Sequence, residues 1–203
     1  MGIMRQMALA FVAVMALAAC GGGGGGGGSA AADPSDKLLG NFIFQYSLSG
    51  STYSDRYTFD TKLEDTTSDG TPFYGGHDAD HSAYAAVGAW LPSLSKYLVV
   101  ANTALNDIYW VYSFVIEGDG RLTGCLDYML SGSLTGFCTA FDSTASRRYD
   151  SSSWGRAAAF FAEGAENRYD AFMREASPMR MESPGDDRVR QAAAELAARL
   201  ERR

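Results

Sequence analysis

His77 and His81 are four residues apart in the run Gly75-Gly76-His77-Asp78-Ala79-Asp80-His81. On a helix that spacing turns both imidazoles to one side, the arrangement zinc takes together with a third ligand. The paired glycines make the run read as a solvated acidic loop instead, so His77, Asp78, Asp80 and His81 are weak metal candidates and no metal is expected. Calcium would draw on Asp78 and Asp80 with Asp65 or Asp69, all oxygen donors, but the regular ladder of EF-hand ligands is missing. Covalent catalysis needs a Ser or Cys beside a base, and the chain has no Gly-x-Ser-x-Gly elbow. No dinucleotide fingerprint or phosphate loop occurs either, since the glycine run from Gly21 follows no strand. The expectation is a protein without catalytic residues and without a cofactor.

The clearest instruction in the sequence concerns destination. Arg5 precedes thirteen uncharged, mostly apolar residues, Met7 to Ala19. That is too short to span a bilayer, which takes roughly 20 residues in a helix, and it suits the core of a signal peptide. Leu17-Ala18-Ala19-Cys20 follows at once and resembles the lipobox of bacterial lipoproteins. The resemblance implies a signal peptide over 1–19, removed by cleavage, and a covalent lipid on Cys20 that anchors the chain in the cell envelope. Gly21 after the cysteine is similar to what, in enteric bacteria, accompanies sorting to the outer membrane. Gly21 to Gly28 and the small residues up to Asp36 make a linker over 20–36, a leash with an r.m.s. reach of about 20–24 Å.

With Cys20 assigned to lipid, Cys125 and Cys138 remain as a pair in an exported protein, where disulfides persist. A two-residue turn at Ser131-Gly132 would place Leu130 opposite Ser133 and therefore Cys125 directly opposite Cys138. That site is not hydrogen-bonded, with an expected Cα separation of about 4.5 Å, and the bridge would contribute about 3 kcal/mol by closing its loop.

The elements that position these residues read as β. Phe42, Phe44, Tyr46 and Leu48 alternate along a first strand, and Tyr57 and Phe59 share a face of a second. Ser82 to Leu91 and Lys96 to Ala101 read as a pair around Leu91-Pro92-Ser93. Asp107 to Ile116 carries Trp110, Tyr112, Phe114 and Ile116 on one side and Tyr109, Val111 and Val115 on the other, so it is expected to be covered on both faces. Leu122, Leu126, Tyr128 and Leu130 share a core face with Phe137 and Phe141. Together these predict a mainly β domain over 37–150, an antiparallel up-and-down barrel or sandwich of six to eight strands. Gly40-Asn41-Phe42 opens the first strand much as Gly-x-Trp opens lipocalins, with Phe for Trp, and the meander is similar to their plan; three residues carry no ligand across.

Residues 151–203 form a helical, partly disordered tail on this reading. Val189, Ala193, Leu196 and Leu200 recur at helical spacing, Glu195 and Arg199 stand as an i,i+4 pair, and Ser183-Pro184-Gly185-Asp186 is a break. Gly155 to Ala176 is a second segment without β period, apolar enough to dock.

Charge narrows the partners. The chain carries −7 overall, and Asp33 to Trp154 has 15 acidic against 7 basic residues. An acidic body without a basic stripe excludes nucleic acid as a partner and disfavours anionic lipid surfaces through the folded part. Twenty aromatic residues lie in the same span, enough to fill a core or to line an apolar cavity. The expected function is a membrane-anchored, non-enzymatic lipoprotein binding a hydrophobic small molecule within or at the barrel. The alternative is an interaction, inhibitor or assembly lipoprotein acting on an envelope protein through its loops and tail.

Overall fold

Alternation decides the architecture strand by strand. The computed structural model describes residues 34–103, 108–149 and 187–202. In it β1 (Gly40–Leu48), β2 (Ser51–Thr66), β3 (Pro72–Asp78), β4 (Ala85–Leu91), β5 (Lys96–Asn102), β6 (Ile108–Ile116) and β7 (Leu122–Leu130) each pair antiparallel with the next. Three short strands follow, β8 (Ser133–Leu134), β9 (Thr139–Ala140) and β10 (Arg147–Tyr149). The result is one up-and-down sheet of ten strands, more than the six to eight expected, ending in a helix, α1 (Asp187–Leu200). β1 and β7 do not form a ladder with each other. Residues 139–149 lie between them: β9 pairs with β7, β10 pairs with β1, and Phe141 and Arg147 bridge to Tyr46 and Arg121.

One face of every long strand turns into a single aromatic core. Phe42, Phe44, Tyr46, Tyr57, Phe59, Tyr97, Trp110, Tyr112, Phe114 and Phe141 are all buried there. Their rings touch: Phe44 lies 4.6 Å from Tyr112 and 5.1 Å from Phe114, centroid to centroid, and Phe42 stands edge-on to Phe59 at 5.7 Å. Such offset and tilted pairs add to the area they bury. The rings fit because the facing strands carry small residues. A Cβ at Gly76 would lie 2.8 Å from the Phe59 ring, and Gly88 and Ala86 also stand on that side. This is also why β3 escapes a sequence reading: Gly75-Gly76 looks like a loop, yet His77 and Asp78 end a strand.

One end of the sheet is capped by the chain on its way in. Pro34–Leu38 forms a short 3-10 helix, so residues 34–36 of the expected linker belong to it. Leu38 is fully buried against the aromatic core. This 3-10 helix is held by Tyr97 Oη donating to the Pro34 carbonyl at 2.6 Å and Tyr74 Oη donating to Asp36 Oδ1 at 2.7 Å.

The outer face of β3 to β7 is apolar as well, through Phe73, Val87, Leu98, Val100, Val111 and Met129, and α1 covers it with Ala192, Ala193, Leu196, Ala197 and Leu200. The helical spacing expected for the tail is therefore a packing stripe, and on the outer face of β6 Val111 is buried while Tyr109 and Val115 stay half-buried, so that face is covered only in part. The expected Glu195–Arg199 pair does not form. Glu195 instead accepts from the Ser68 amide at 2.9 Å and hydroxyl at 3.1 Å, and Arg199 pairs with Asp65, because docking offers both side chains sheet partners. Truncating Leu196 to alanine is expected to cost about 2 kcal/mol by leaving a void under the helix. Chemical denaturation followed at 222 nm checks this; an unchanged midpoint would mean the helix does not hold the sheet.

The hairpin carrying the disulfide departs from its expected register. Ser131 (φ 49°) and Gly132 (φ 78°) make the two-residue turn, and Leu130 opposes Ser133 and Met129 opposes Leu134 as the sequence predicts. Further along, however, Cys125 opposes Ala140, so Cys138 is not its direct partner. Two residues are absorbed between Leu134 and Thr139, where Asp127 gathers the chain: its carboxyl accepts from Thr135 Oγ1 and, at 2.9 Å, from the Gly136 amide. Gly136 takes φ 77°, the left-handed geometry this loop requires. The Cys125–Cys138 disulfide forms across the bulge with Cα atoms 5.4 Å apart, not the expected 4.5 Å. Leu130 is also displaced from the expected core face, being 42% exposed beside the turn.

Burial pushes the Asp127 carboxyl above the usual aspartate range, opposed by hydrogen bonds from Thr135 and from the Tyr128, Gly136 and Phe137 amides. Because folding raises this group, it favours the folded state more as pH falls through its folded midpoint, and that contribution is lost as pH rises again. Thr135→Val removes a bond that holds the midpoint down, so carboxyl NMR is expected to place it higher than in the native chain. An unmoved midpoint would mean that the hydroxyl does not reach the carboxyl in solution.

Candidate functional site

Polar chemistry within the aromatic core is concentrated on Asp55. Its position follows from alternation: Tyr53, Asp55, Tyr57 and Phe59 share the inward face of β2, and Asp55 is 2% exposed. Tyr46 Oη donates to Asp55 Oδ2 at 2.7 Å from β1, and Tyr112 Oη donates to the same oxygen at 2.8 Å from β6. With that proton committed, the Tyr112 oxygen accepts from Tyr57 Oη at 3.0 Å. Burial raises both the Tyr57 and Tyr112 phenols well above their ordinary value, with nearby Asp78 adding to it. These hydroxyls therefore stay protonated and act as fixed donors. In this arrangement they orient and fasten the strands that carry them. A sequence reading missed the cluster, although the signal was present as a lone acid on an otherwise aromatic strand face.

The histidine-bearing segment lies at the same end of the sheet, and its groups are committed separately. His77 is a half-buried residue of β3, opposite Thr58 and Ala85. Asp78 Oδ1 accepts from the amides of Asp80 at 2.7 Å and His81 at 3.1 Å, which turns the loop, while burial raises its carboxyl above the usual range. Asp80 forms an ion pair with Arg56, and the His81 ring rests against Tyr84 at 5.7 Å. The acids invoked for calcium are dispersed too: Asp65 pairs with Arg199, and Asp69 Oδ2 accepts from the Ser93 hydroxyl at 2.6 Å. Among the described residues no three His, Cys, Asp or Glu side chains come together as a metal site.

A second feature lies outside the sheet. Between the last turns of α1 and the β7–β8 turn there is a depression of about 250 Å³, lined by Tyr109, Met129, Gly132, Ala194, Ala197 and Glu201 among others. Tyr109 Oη donates to Glu201 Oε1 at 2.7 Å across it. Cys20 and the apolar segment 155–176 lie outside the described residues.

Fold and site together define an antiparallel β-meander, broadly an open barrel or sandwich, with an aromatic interior and a helix packed on its outer face. The chain matches no protein-family model, and neither a curated protein nor a solved structure matches it significantly.

Proposed function

We propose that this chain is an exported lipoprotein, anchored to the cell envelope through a lipid on Cys20, whose β domain is a non-enzymatic binding module. Of the two occupants that such a domain could take, the geometry favours one met at the surface. The observation that carries this is the interior itself: rings from β1, β2, β5 and β6 lie in mutual contact there, and their hydroxyls are spent on Asp55, on one another and, for Tyr97, on the Pro34 carbonyl. A hydrophobic small molecule remains a second reading only at the outer depression beside α1, where Met129, Ala197 and Tyr109 supply apolar surface. The leash meets the domain at the end capped by Leu38, so the opposite rim, with the turns at 49–50 and 131–132, lies away from the attachment point.

Native mass spectrometry of the detergent-solubilised chain tests both parts. The expected result is a covalent acyl mass that Cys20→Ser abolishes, with no further mass lost on denaturation. A non-covalent mass released on denaturation would sink the surface reading, and an unmodified Cys20 would sink the anchor.

A further inference from the structure

The disulfide stands where the sheet is joined most sparsely. Since β1 and β7 share no ladder, their connection is the strip 139–149: Phe141 N donates to Gly124 O at 2.9 Å, Asp142 N to Gln45 O at 2.7 Å, and Leu122 N to Ser146 O at 2.9 Å. The chain reaches this strip through residues 135–138, which belong to no strand. Three fastenings hold that stretch on β7: Thr135 N donating to Tyr128 O at 3.0 Å, the Asp127 carboxyl and, at its far end, the Cys125–Cys138 bond. Between them Phe137 packs against the aromatic core. The two cysteines differ in access, Cys138 being exposed and Cys125 half-buried.

We propose that the Cys125–Cys138 disulfide is an exchange-reactive latch on the β7–β1 seam, opened at Cys138 by a dithiol reductant. A thiolate of the dithiol attacks Cys138 Sγ, forming a mixed disulfide and expelling the Cys125 thiolate, which takes up a proton. The second thiol of the reductant then attacks its own bound sulfur, releasing Cys138 as a thiolate that is protonated in turn. Two electrons pass to the protein, and the dithiol leaves as a disulfide. Asp127 and the Thr135 amide then hold only the start of 135–138, so Phe137 can lift from the aromatic core and the strip carrying Phe141 keeps only its own hydrogen bonds. The ladders from β1 to β7 and the packing of α1 use no atom of this bond. The inference goes beyond the proposed function and draws on the export reading only for where such a reductant would be met.

Two measurements on the full-length chain test it. A short exposure to reduced glutathione, a monothiol that forms the adduct without resolving it, is expected to label Cys138; an adduct confined to Cys125 would overturn the assignment of the attacked sulfur. Hydrogen exchange before and after dithiothreitol is expected to quicken by about tenfold or more over 135–149 and to stay unchanged over β2 to β6. No change at 135–149 would overturn the latch. So would uniform acceleration of every strand, because the bond would then be a staple for the whole domain. Cys125→Ser with Cys138→Ser should reproduce the local pattern without reductant. If that variant does not accumulate, the reduced native chain still gives the decisive comparison.

Discussion

Replacing Gly124 with alanine is expected to destabilise the domain by about 3–4 kcal/mol, the largest effect of any single methyl group in it. Gly124 faces Phe114 across the β6–β7 ladder, on the inward side of β7. A Cβ built there would come 2.1 Å from the Ser113 carbonyl oxygen and 2.6 Å from the Phe114 Cα. Both are backbone atoms, so no rotamer change relieves the contact and the two strands must part in the middle of their pairing. The exposed neighbour Thr123 provides the control, since its truncation to alanine is expected to change stability by less than about 0.5 kcal/mol. Urea denaturation of the two variants decides it. A Gly124→Ala midpoint equal to the native one would mean that β6 and β7 lie farther apart in solution.

Asp55→Ala should be nearly as damaging, at about 3 kcal/mol, for a different reason. The substitution leaves the Tyr46 and Tyr112 hydroxyls, both buried, without the oxygen they share. An orphaned buried hydroxyl costs about 1–3 kcal/mol. Removing both sides of the arrangement should be far milder, because apolar groups have no hydrogen bonds to lose. Asp55→Leu combined with Tyr46→Phe, Tyr57→Phe and Tyr112→Phe is therefore expected to recover most of the loss. The comparison also separates roles. If the four-fold variant is stable and captures the same envelope protein in a pull-down as the native chain, the cluster is a register device. A stable variant that no longer binds would move the functional site into the interior and against the surface reading.

The contrast between these two positions has a physical basis. Gly124 acts through contacts fixed by one hairpin, between residues close in sequence. Asp55 acts through Tyr46 and Tyr112, the second of them 57 residues away, so its importance exists only once β1, β2 and β6 have met around a common core. The latch at Cys138 shares that non-local character. The disulfide is a local matter between neighbouring strands, whereas the seam it guards joins the last described strands to the first.

What the sequence by itself determined is what neighbouring residues settle among themselves. Period-two alternation in Phe42 to Leu48 and in Trp110 to Ile116 dictates strands and their buried faces, because side chains on a pleated backbone alternate whatever lies beyond. Ser131-Gly132 dictates a tight turn, and the pairing of Leu130 with Ser133 follows from it. The 3.6-residue recurrence of Ala193, Leu196 and Leu200 dictates a helix with one apolar stripe. Tertiary structure alone decided the rest. Gly76 belongs to a strand in which the Phe59 ring takes the space a side chain would fill, a demand that arises from another strand. Cys125 opposes Ala140 because Asp127 finds donors in a bulge, and ten strands replace six to eight because short segments gain partners only as the sheet comes together. Glu195 and Arg199 part company for the same reason: an isolated helix offers each only the other, whereas a docked one offers Ser68 and Asp65.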